Sequence, residues 1–129
     1  VVAVNMNKFV DYETAQQEMQ RLSDEILAQT NQAGIHELPM MVVCDDASFT
    51  AATMKNFLWV TFTRSNPSHD IYGVDSFTKF KHWGCKSTMI IDARIKPFHA
   101  PPLIPNPAIE ARIQRFFEKG GSLYGKVKL

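Results

Sequence analysis

A helical stripe lies between two short runs of strand-forming residues, and this order restricts the chain to few folds. Apolar residues recur every three or four positions over residues 12–33, which predicts an amphipathic helix. Asp11 is suited to cap the start of this helix and Gly34 to end it. The apolar runs at residues 1–6 and 40–44 predict strands on either side. Parallel strands need a crossover of this length, so the first third of the chain indicates an α/β fold.

The remaining pattern continues in the same way. Residues 51–63 predict a buried helix rather than a strand, starting at Ser48 or Thr50. Residues 71–74 and 89–92 predict two further strands, and Pro107 opens a last helix that Gly120-Gly121 ends. We therefore expect one α/β domain over residues 1–129, with a partly parallel sheet of about four strands and flanking helices. Residues 97–106 form a proline-rich strap, and residues 120–129 a C-terminal tail.

Composition excludes several classes of protein. A net charge of +1 gives no field that would attract nucleic acid. No apolar run approaches the roughly 20 residues that a membrane span needs, and no signal peptide is visible. The two cysteines, Cys44 and Cys85, suit a reducing compartment, so we expect a cytoplasmic location. The chain begins with Val1 inside a predicted strand, which leads us to expect a piece of a larger protein.

Three aspartates follow predicted strands. Asp45 and Asp46 end the stretch "VVCDD", and Asp92 ends "MIID". At the carboxyl edge of a sheet, such carboxylates could bind a hard cation such as Mg²⁺. The simpler interpretation is structural. Asp45 or Asp46 caps the next helix, and Asp92 pairs with Lys86 or Arg94.

The same spacing suggests a receiver-like signalling domain as an alternative. Such a domain has an acidic pair after one strand and a phosphorylated aspartate further on, which would be Asp92. Two features disagree: a strand and a long helix precede the acidic pair, and only a proline-rich strap and one helix follow Asp92. A small α/β interaction subunit of another assembly is a third hypothesis.

Other chemistry is weakly indicated. The four histidines have no metal-like spacing with one another or with the cysteines, and no glycine-rich loop opens a helix. Neither cysteine lies beside an obvious base. The sequence therefore predicts no complete catalytic site and no metal site in this chain.

Two stretches resemble the last domain of the UbiD-type decarboxylases. The first, "VVCDDASFTAATMKNFLWVTFTRSNPSHDI", has the acidic cluster, Leu-Trp, Thr-Arg, Pro and Asp-Ile pattern of that family. The second, "GCKSTMIIDARIKP", supplies Lys86, Asp92 and Ala93 in the expected order. Two acids stand where relatives often have three, and the segment from Arg64 to Lys86 is shorter than in several relatives.

The resemblance implies a carboxy-lyase that reversibly decarboxylates aromatic or α,β-unsaturated acids. Such enzymes use prenylated FMN and a divalent metal, often manganese, with a Glu-Arg-Glu trio, all in a preceding flavin-binding domain that this chain lacks. The last domain is Rossmann-like, forms homo-oligomer contacts and closes over the substrate. We therefore expect this chain alone to be catalytically silent and to bind neither flavin nor manganese.

Long loops often carry function, and residues 77–86 are predicted to join two strands as such a loop. The loop concentrates apolar and amphipathic groups suited to contact an aromatic ligand. The alternative is that Phe77 and Phe80 fill the local core and Trp83 covers a sheet edge. The resemblance implies that this region supplies apolar residues to the mouth of the substrate site, and we expect residues at the end of the second helix to border that mouth. The residues predicted to lie near substrate are Thr61, Thr63, Arg64, Phe77, Phe80, His82 and Trp83. Asp45, Asp46, Lys86 and Asp92 are predicted to be structural.

Overall fold

A computed structural model describes residues 1–33, 38–100 and 106–126, with the side chains of residues 30–33 outside the description. The chain divides into two compact units, Val1–His99 and Ala100–Leu129. In the described part of the first unit, the elements are β1 Val2–Asn5, α1 Tyr12–Ala33, β2 Met40–Cys44, α2 Ala47–Ala52, α3 Met54–Thr63, β3 Ile71–Gly73, β4 Ser76–Lys79, β5 His82–Cys85 and β6 Met89–Asp92. The second contains α4, Pro107–Phe117.

The main sheet has four strands in the order β1-β2-β6-β3. β1, β2 and β6 are parallel, with Val4 opposite Val43 and Val42 opposite Ile91. β3 runs antiparallel to β6, with Tyr72 opposite Ile90. The prediction of an α/β fold with a partly parallel sheet of about four strands is confirmed.

Both faces of the sheet are buried because helices pack on each of them. Neighbouring residues of a strand point to opposite faces, so both sets of side chains are covered. Val42 and Cys44 pack with Val60 of α3 on one face. Val43 and Ile90 pack with Met19 of α1 on the other. This arrangement explains why β2 reads as a continuous apolar run rather than an alternating one.

The prediction of helix over residues 51–63 is confirmed, but two details of it were wrong. The helical segment begins at Ala47, with Asp46 as its N-cap, and it breaks at the extended residue Thr53, which caps α3. The segment is also not buried as a whole, since Phe62 is 72% exposed. A helix that packs on one face of a sheet buries a single stripe, and here the opposite side is apolar as well.

The prediction of a long loop over residues 77–86 was wrong, because these residues form the hairpin β4–β5. Its turn places Phe80 and Lys81 at φ 52° and 65°. Two consecutive positive φ values are typical of a type I′ turn, which usually carries Asn-Gly. Since Phe-Lys has no such signature, no local signal in the sequence indicated the hairpin.

The second unit is built around α4, whose start follows ordinary capping chemistry. The side chain of Asn106 accepts hydrogen bonds from the amides of Ala108 and Ile109, and Pro107 occupies the first turn. The chain then turns back, with the Leu123 amide donating to the Phe116 carbonyl at 2.9 Å. Residues 101–105 of the predicted strap and 127–129 of the predicted tail lie outside the described residues.

Over the described ranges, no helix is long and apolar enough to cross a membrane.

Removing the cap of α2 provides a test of this local structure. The Asp46 carboxylate accepts from the Phe49 amide at 2.9 Å. Asp46→Ala is expected to lower the free energy of unfolding by about 1 kcal/mol, because that amide loses its partner. Asp46→Asn, which keeps an acceptor, should stay within a few tenths of a kcal/mol in urea melts. Equal losses in the two variants would contradict the capping role.

Candidate functional site

The carboxyl edge of the sheet gathers most of the charged side chains that the fold buries. β1, β2 and β6 end at this edge because they are parallel, and β3 starts there because it is antiparallel. Asp92 therefore lies beside Asp70, and the Asp92 amide donates to the Asp70 carbonyl at 2.9 Å. Edges of this kind are where open α/β sheets usually bind ligands.

Arg94 is at the centre of this cluster. Its Nε and Nη2 donate to the two carboxylate oxygens of Asp92 at 2.9 and 2.8 Å. Its Nη1 donates to Glu18 of α1 at 2.7 Å and to the Asn7 carbonyl at 2.9 Å. The Arg94 and Asp92 side chains are both 0% exposed. Burial alone would lower the pKa of Arg94, but the hydrogen bonds to Asp92 and Glu18 raise it above its ordinary value.

Lys96 is the second buried cation. Its ammonium lies 3.3 Å from the Asp70 carboxylate and donates to the carbonyls of Asp92 at 2.9 Å and Arg64 at 3.1 Å. The ring of Phe9 faces both cations, with its centroid 5.3 Å from the Lys96 ammonium and 5.8 Å from the Arg94 guanidinium carbon. We call Glu18, Asp70, Asp92, Arg94 and Lys96 the buried ion network.

The network has one more negative charge than positive, since three carboxylates face two cations. Within the described residues, Oδ1 of Asp70 has no hydrogen-bond partner. Burial first, and then the Asp92 and Asp70 carboxylates, raise the pKa of Tyr72 to about 12. Tyr72 therefore stays neutral over the ordinary pH range.

The geometry gives Asp92 a structural role. Its two oxygens are held by Arg94 and it has no exposure to solvent, so a phosphodonor could not reach it. The receiver-like alternative is therefore not favoured. The predicted pairing of Asp92 with Arg94 is confirmed, whereas Lys86 pairs with Asp75 at 2.9 Å instead.

The adjacent aspartates have separate partners. Asp46 caps α2, as described above. Asp45 accepts from the Ile95 amide at 2.8 Å and lies 3.6 Å from the Arg64 guanidinium. Among residues 1–33, 38–100 and 106–126, no group of three or more His, Cys, Asp or Glu side chains is placed to hold a metal ion. The carboxylates at this edge therefore do not assemble the Mg²⁺ site that their spacing allowed.

The substrate-proximal residues predicted at the end of α3 lie near the carboxyl edge. Thr61 is buried, and its hydroxyl has no partner among the described residues. The Thr63 hydroxyl donates to the Trp59 carbonyl at 2.6 Å. Arg64 stacks on Trp59, with 5.0 Å between the guanidinium carbon and the ring centroid.

The other predicted residues lie on the hairpin and are mostly exposed, Phe80 at 84%. The ring of Phe77 covers Gly84, and the ring of Trp83 approaches Gly73. The hairpin is rooted beside Thr88 and Met89, at the amino end of β6. Within one chain, the structure thus places Arg64 and the root of the hairpin at opposite edges of the sheet.

Sequence reasoning missed three members of the network: Glu18, Asp70 and Lys96. A local signal was present in "IIDARIKP", where Asp92, Arg94 and Lys96 alternate directly after an apolar strand. Alternation places these side chains on one side of an extended segment, which indicates a shared environment. Glu18 and Asp70 are distant in sequence and carried no such signal.

Comparison with known proteins gives a distant relationship. No family model matches the chain, and no solved structure does. An uncharacterized protein of Chlamydia muridarum (strain MoPn / Nigg) is 35% identical over 63 residues, 49% of this chain. One of the subunits of 4-hydroxybenzoate decarboxylase from Chlamydia pneumoniae is 27% identical over 75 residues, 58% of this chain. The matches span 11% and 13% of those two proteins, so this chain is distantly similar to a small part of a decarboxylase subunit.

Breaking the central pair of the network tests its structural role. Asp92→Asn should destabilise the protein by roughly 3–5 kcal/mol, because it leaves Arg94 buried without its main counter-charge. The matched control is Asp75→Asn in the exposed pair with Lys86, which should change stability by less than about 1 kcal/mol. Urea unfolding measures both. A small loss for Asp92→Asn would mean that the network contributes little to the fold.

His99 gives a prediction for pH dependence. Burial first, and then the charge of Lys96, lower the pKa of His99 from its ordinary 6.5. Below about 6.5 the unfolded state therefore binds more protons than the folded state, and stability must fall as the pH falls. His99→Gln should remove part of this loss. The measurement is the free energy of unfolding of both proteins between pH 5 and 8. A free energy that changes with pH by the same amount in the two proteins would contradict the prediction.

Proposed function

We propose that this chain is the C-terminal segment of a UbiD-like carboxy-lyase that acts on aromatic or α,β-unsaturated carboxylic acids. The observation that carries the proposal is the similarity over 75 residues to part of a 4-hydroxybenzoate decarboxylase. The family-like motifs lie in the same fold unit and at its structural junctions. Asp45 and Asp46 end β2, Thr63-Arg64 ends α3, and Asp92 ends β6.

In this proposal the chain contributes no catalytic group. The prenylated FMN and divalent metal of such an enzyme belong to an upstream flavin-binding domain. Among residues 1–33, 38–100 and 106–126 no cluster of metal ligands is present, and Asp92 and Arg94 are hydrogen-bonded within the buried ion network. The roles left for this chain are capping of the substrate and contact with other parts of the enzyme.

The hairpin β4–β5 is the element best suited to capping. It presents Phe77, Phe80 and Trp83 to solvent, and such apolar rings are suited to contact an aromatic substrate. Lys79, Lys81 and His82 lie on the same hairpin, and its exposed cations favour an anionic ligand such as a carboxylate. A hairpin tip can also move more readily than the sheet from which it extends.

The outer side of α3 is suited to contact with another domain or with a second copy of the enzyme. Met54, Leu58 and Phe62 repeat at a spacing of four residues and are all exposed. Residues spaced in this way lie on one side of a helix, so they form a continuous apolar stripe. Such stripes commonly mark interaction surfaces. This stripe supports the homo-oligomer contacts and the upstream-domain contact of the proposed role.

Truncation of the hairpin aromatics tests the capping role in the complete enzyme. Phe80→Ala and Trp83→Ala should shift kcat/KM unequally across a panel of aromatic acids, because these rings would contact substrate. Phe80→Ala should leave stability within about 1 kcal/mol, since Phe80 has few contacts to lose.

Phe57→Ala is the matched control, because Phe57 packs against the core. It should cost up to about 3–5 kcal/mol and leave the relative rates across the panel unchanged. Hairpin variants that melt earlier but keep the wild-type substrate order would contradict capping. A coding sequence with no flavin-binding domain upstream would favour a small α/β interaction subunit instead.

A further inference from the structure

β1 is an edge strand whose outer side is open. The order β1-β2-β6-β3 gives β1 a neighbour on one side, and within the described ranges no strand pairs with its other side. The Met6 amide donates to the Cys44 carbonyl of β2. Backbone groups of successive residues in a strand point to opposite sides, so the amides and carbonyls of Ala3 and Asn5 point away from β2. These groups are placed to pair with a further strand.

The usual protections of an exposed edge are missing from β1. Edge strands commonly carry lysine, proline or a bulge, which prevents another chain from pairing with them. Residues 1–5 read "VVAVN" and contain neither lysine nor proline. The register with β2 advances one residue at a time from Val2 to Asn5, so β1 has no bulge. The strand therefore has no local barrier to the addition of another strand.

An apolar groove lies beside β1 on the face of the sheet that α2 and α3 cover. The helical segment breaks at the extended residue Thr53, and a groove of about 230 Å³ lies between this break and the strand. Its apolar lining residues are Val1, Val2, Ala3, Ala51, Met54 and Phe57. Met54 is 71% exposed, which leaves apolar surface that an added side chain can cover.

A second groove lies beside β1 on the opposite face, which α1 covers. It has a volume of about 300 Å³, and its charged lining residues are Glu18, Arg21 and Glu25. Two carboxylates thus face one guanidinium. Glu18 is also paired with Arg94, whereas Glu25 has no ion pair within the described part of the chain. This groove therefore favours a cation over an anion.

We propose that β1 binds an extended segment of another polypeptide, in which apolar residues alternate with basic ones. The side chains of an added strand point alternately to the two faces of the sheet. Those on one face fill the apolar groove, and those on the other face meet Glu25. The main chain of the segment pairs with the amides and carbonyls of Ala3 and Asn5, as in other complexes that form by strand addition.

The charge of the second groove disfavours β1 of a second copy as the occupant. Residues 1–5 carry no basic side chain. Two copies paired edge to edge bring together two grooves that each hold more negative than positive charge. Like charges placed opposite each other are unfavourable. The proposal depends on the geometry of β1 and not on the proposed function.

The test is titration of the complete 129-residue chain with a short capped peptide in which lysine and valine alternate, followed by NMR. This peptide should shift the amide signals of Ala3 and Asn5 saturably. It should also slow their hydrogen exchange by about tenfold or more, because both amides gain partners. A peptide in which glutamate and valine alternate should bind several-fold more weakly, since its charges meet Glu25. A peptide with its lysines and valines in separate blocks should also bind more weakly, because it cannot match both grooves.

Three variants separate binding from folding. Ala3→Pro should weaken binding of the lysine–valine peptide by about tenfold or more, because it removes a donor that faces away from β2. Glu25→Lys should weaken that peptide by about threefold or more and strengthen the glutamate–valine peptide. Asp24→Lys is the matched control, since Asp24 is next to Glu25 but outside the groove, and it should change either affinity by less than about twofold. A dispersed spectrum of each variant shows that it is folded.

Several outcomes would overturn the proposal. They are no saturable shift at Ala3 and Asn5, equal or tighter binding of either control peptide, and unchanged lysine–valine binding in folded Ala3→Pro or in Glu25→Lys. Exchange of the two amides that slows as the protein concentration rises would assign the edge to a second copy. Slow exchange in the free chain at every concentration would show that the chain itself covers the edge, and either result also overturns the proposal.

These outcomes are independent of catalysis. If the complete enzyme proves not to be a decarboxylase while the lysine–valine peptide binds at β1, the proposed function fails and the docking edge stands. If decarboxylation is found and no peptide binds at β1, the reverse holds.

Discussion

The bidentate pair between Asp92 and Arg94 is the interaction on which the rest of the first unit depends. Two fully buried charges are stable only if each is matched in charge and hydrogen-bonded. Arg94 satisfies this requirement by also binding Glu18 of α1 and the carbonyl of Asn7 after β1. Lys96 connects the network to the end of α3 through the Arg64 carbonyl and to the start of β3 through Asp70. One ion network therefore fixes five elements at a single edge of the sheet.

This network also changes what the carboxyl edge can do. In many open α/β sheets the edge is a ligand site because polar groups there are free. Here the central groups bind one another, and Phe9 covers the two cations. Among the described residues, Arg94 binds the carboxylates of Asp92 and Glu18, and no cluster of metal ligands is present at this edge. The hairpin β4–β5 lies outside the network, rooted at the opposite edge of the sheet.

The exposed apolar surface has a consistent physical interpretation. α3 is capped at Thr53 and packs Val60 against the sheet, yet its outer stripe faces solvent. The turn of the hairpin has two residues with positive φ, and Phe80 at its tip is exposed. Exposed apolar area favours contact with another surface. Such features agree with the proposed role as one segment of a larger enzyme, where another surface covers them.

The sequence by itself determined the elements whose signals are local. The 3.6-residue period of α1, the apolar runs of β2 and β6 and the cap chemistry before α4 each depend on near neighbours, so the α/β class was predictable. Only the tertiary structure decided the rest. The hairpin turn lacks its usual residues, the exposure of α3 depends on what covers it, and Glu18, Asp70 and Lys96 meet Arg94 and Asp92 from distant parts of the chain. Contacts between distant residues leave no periodic signal, because they arise only when the strands take their order in the sheet.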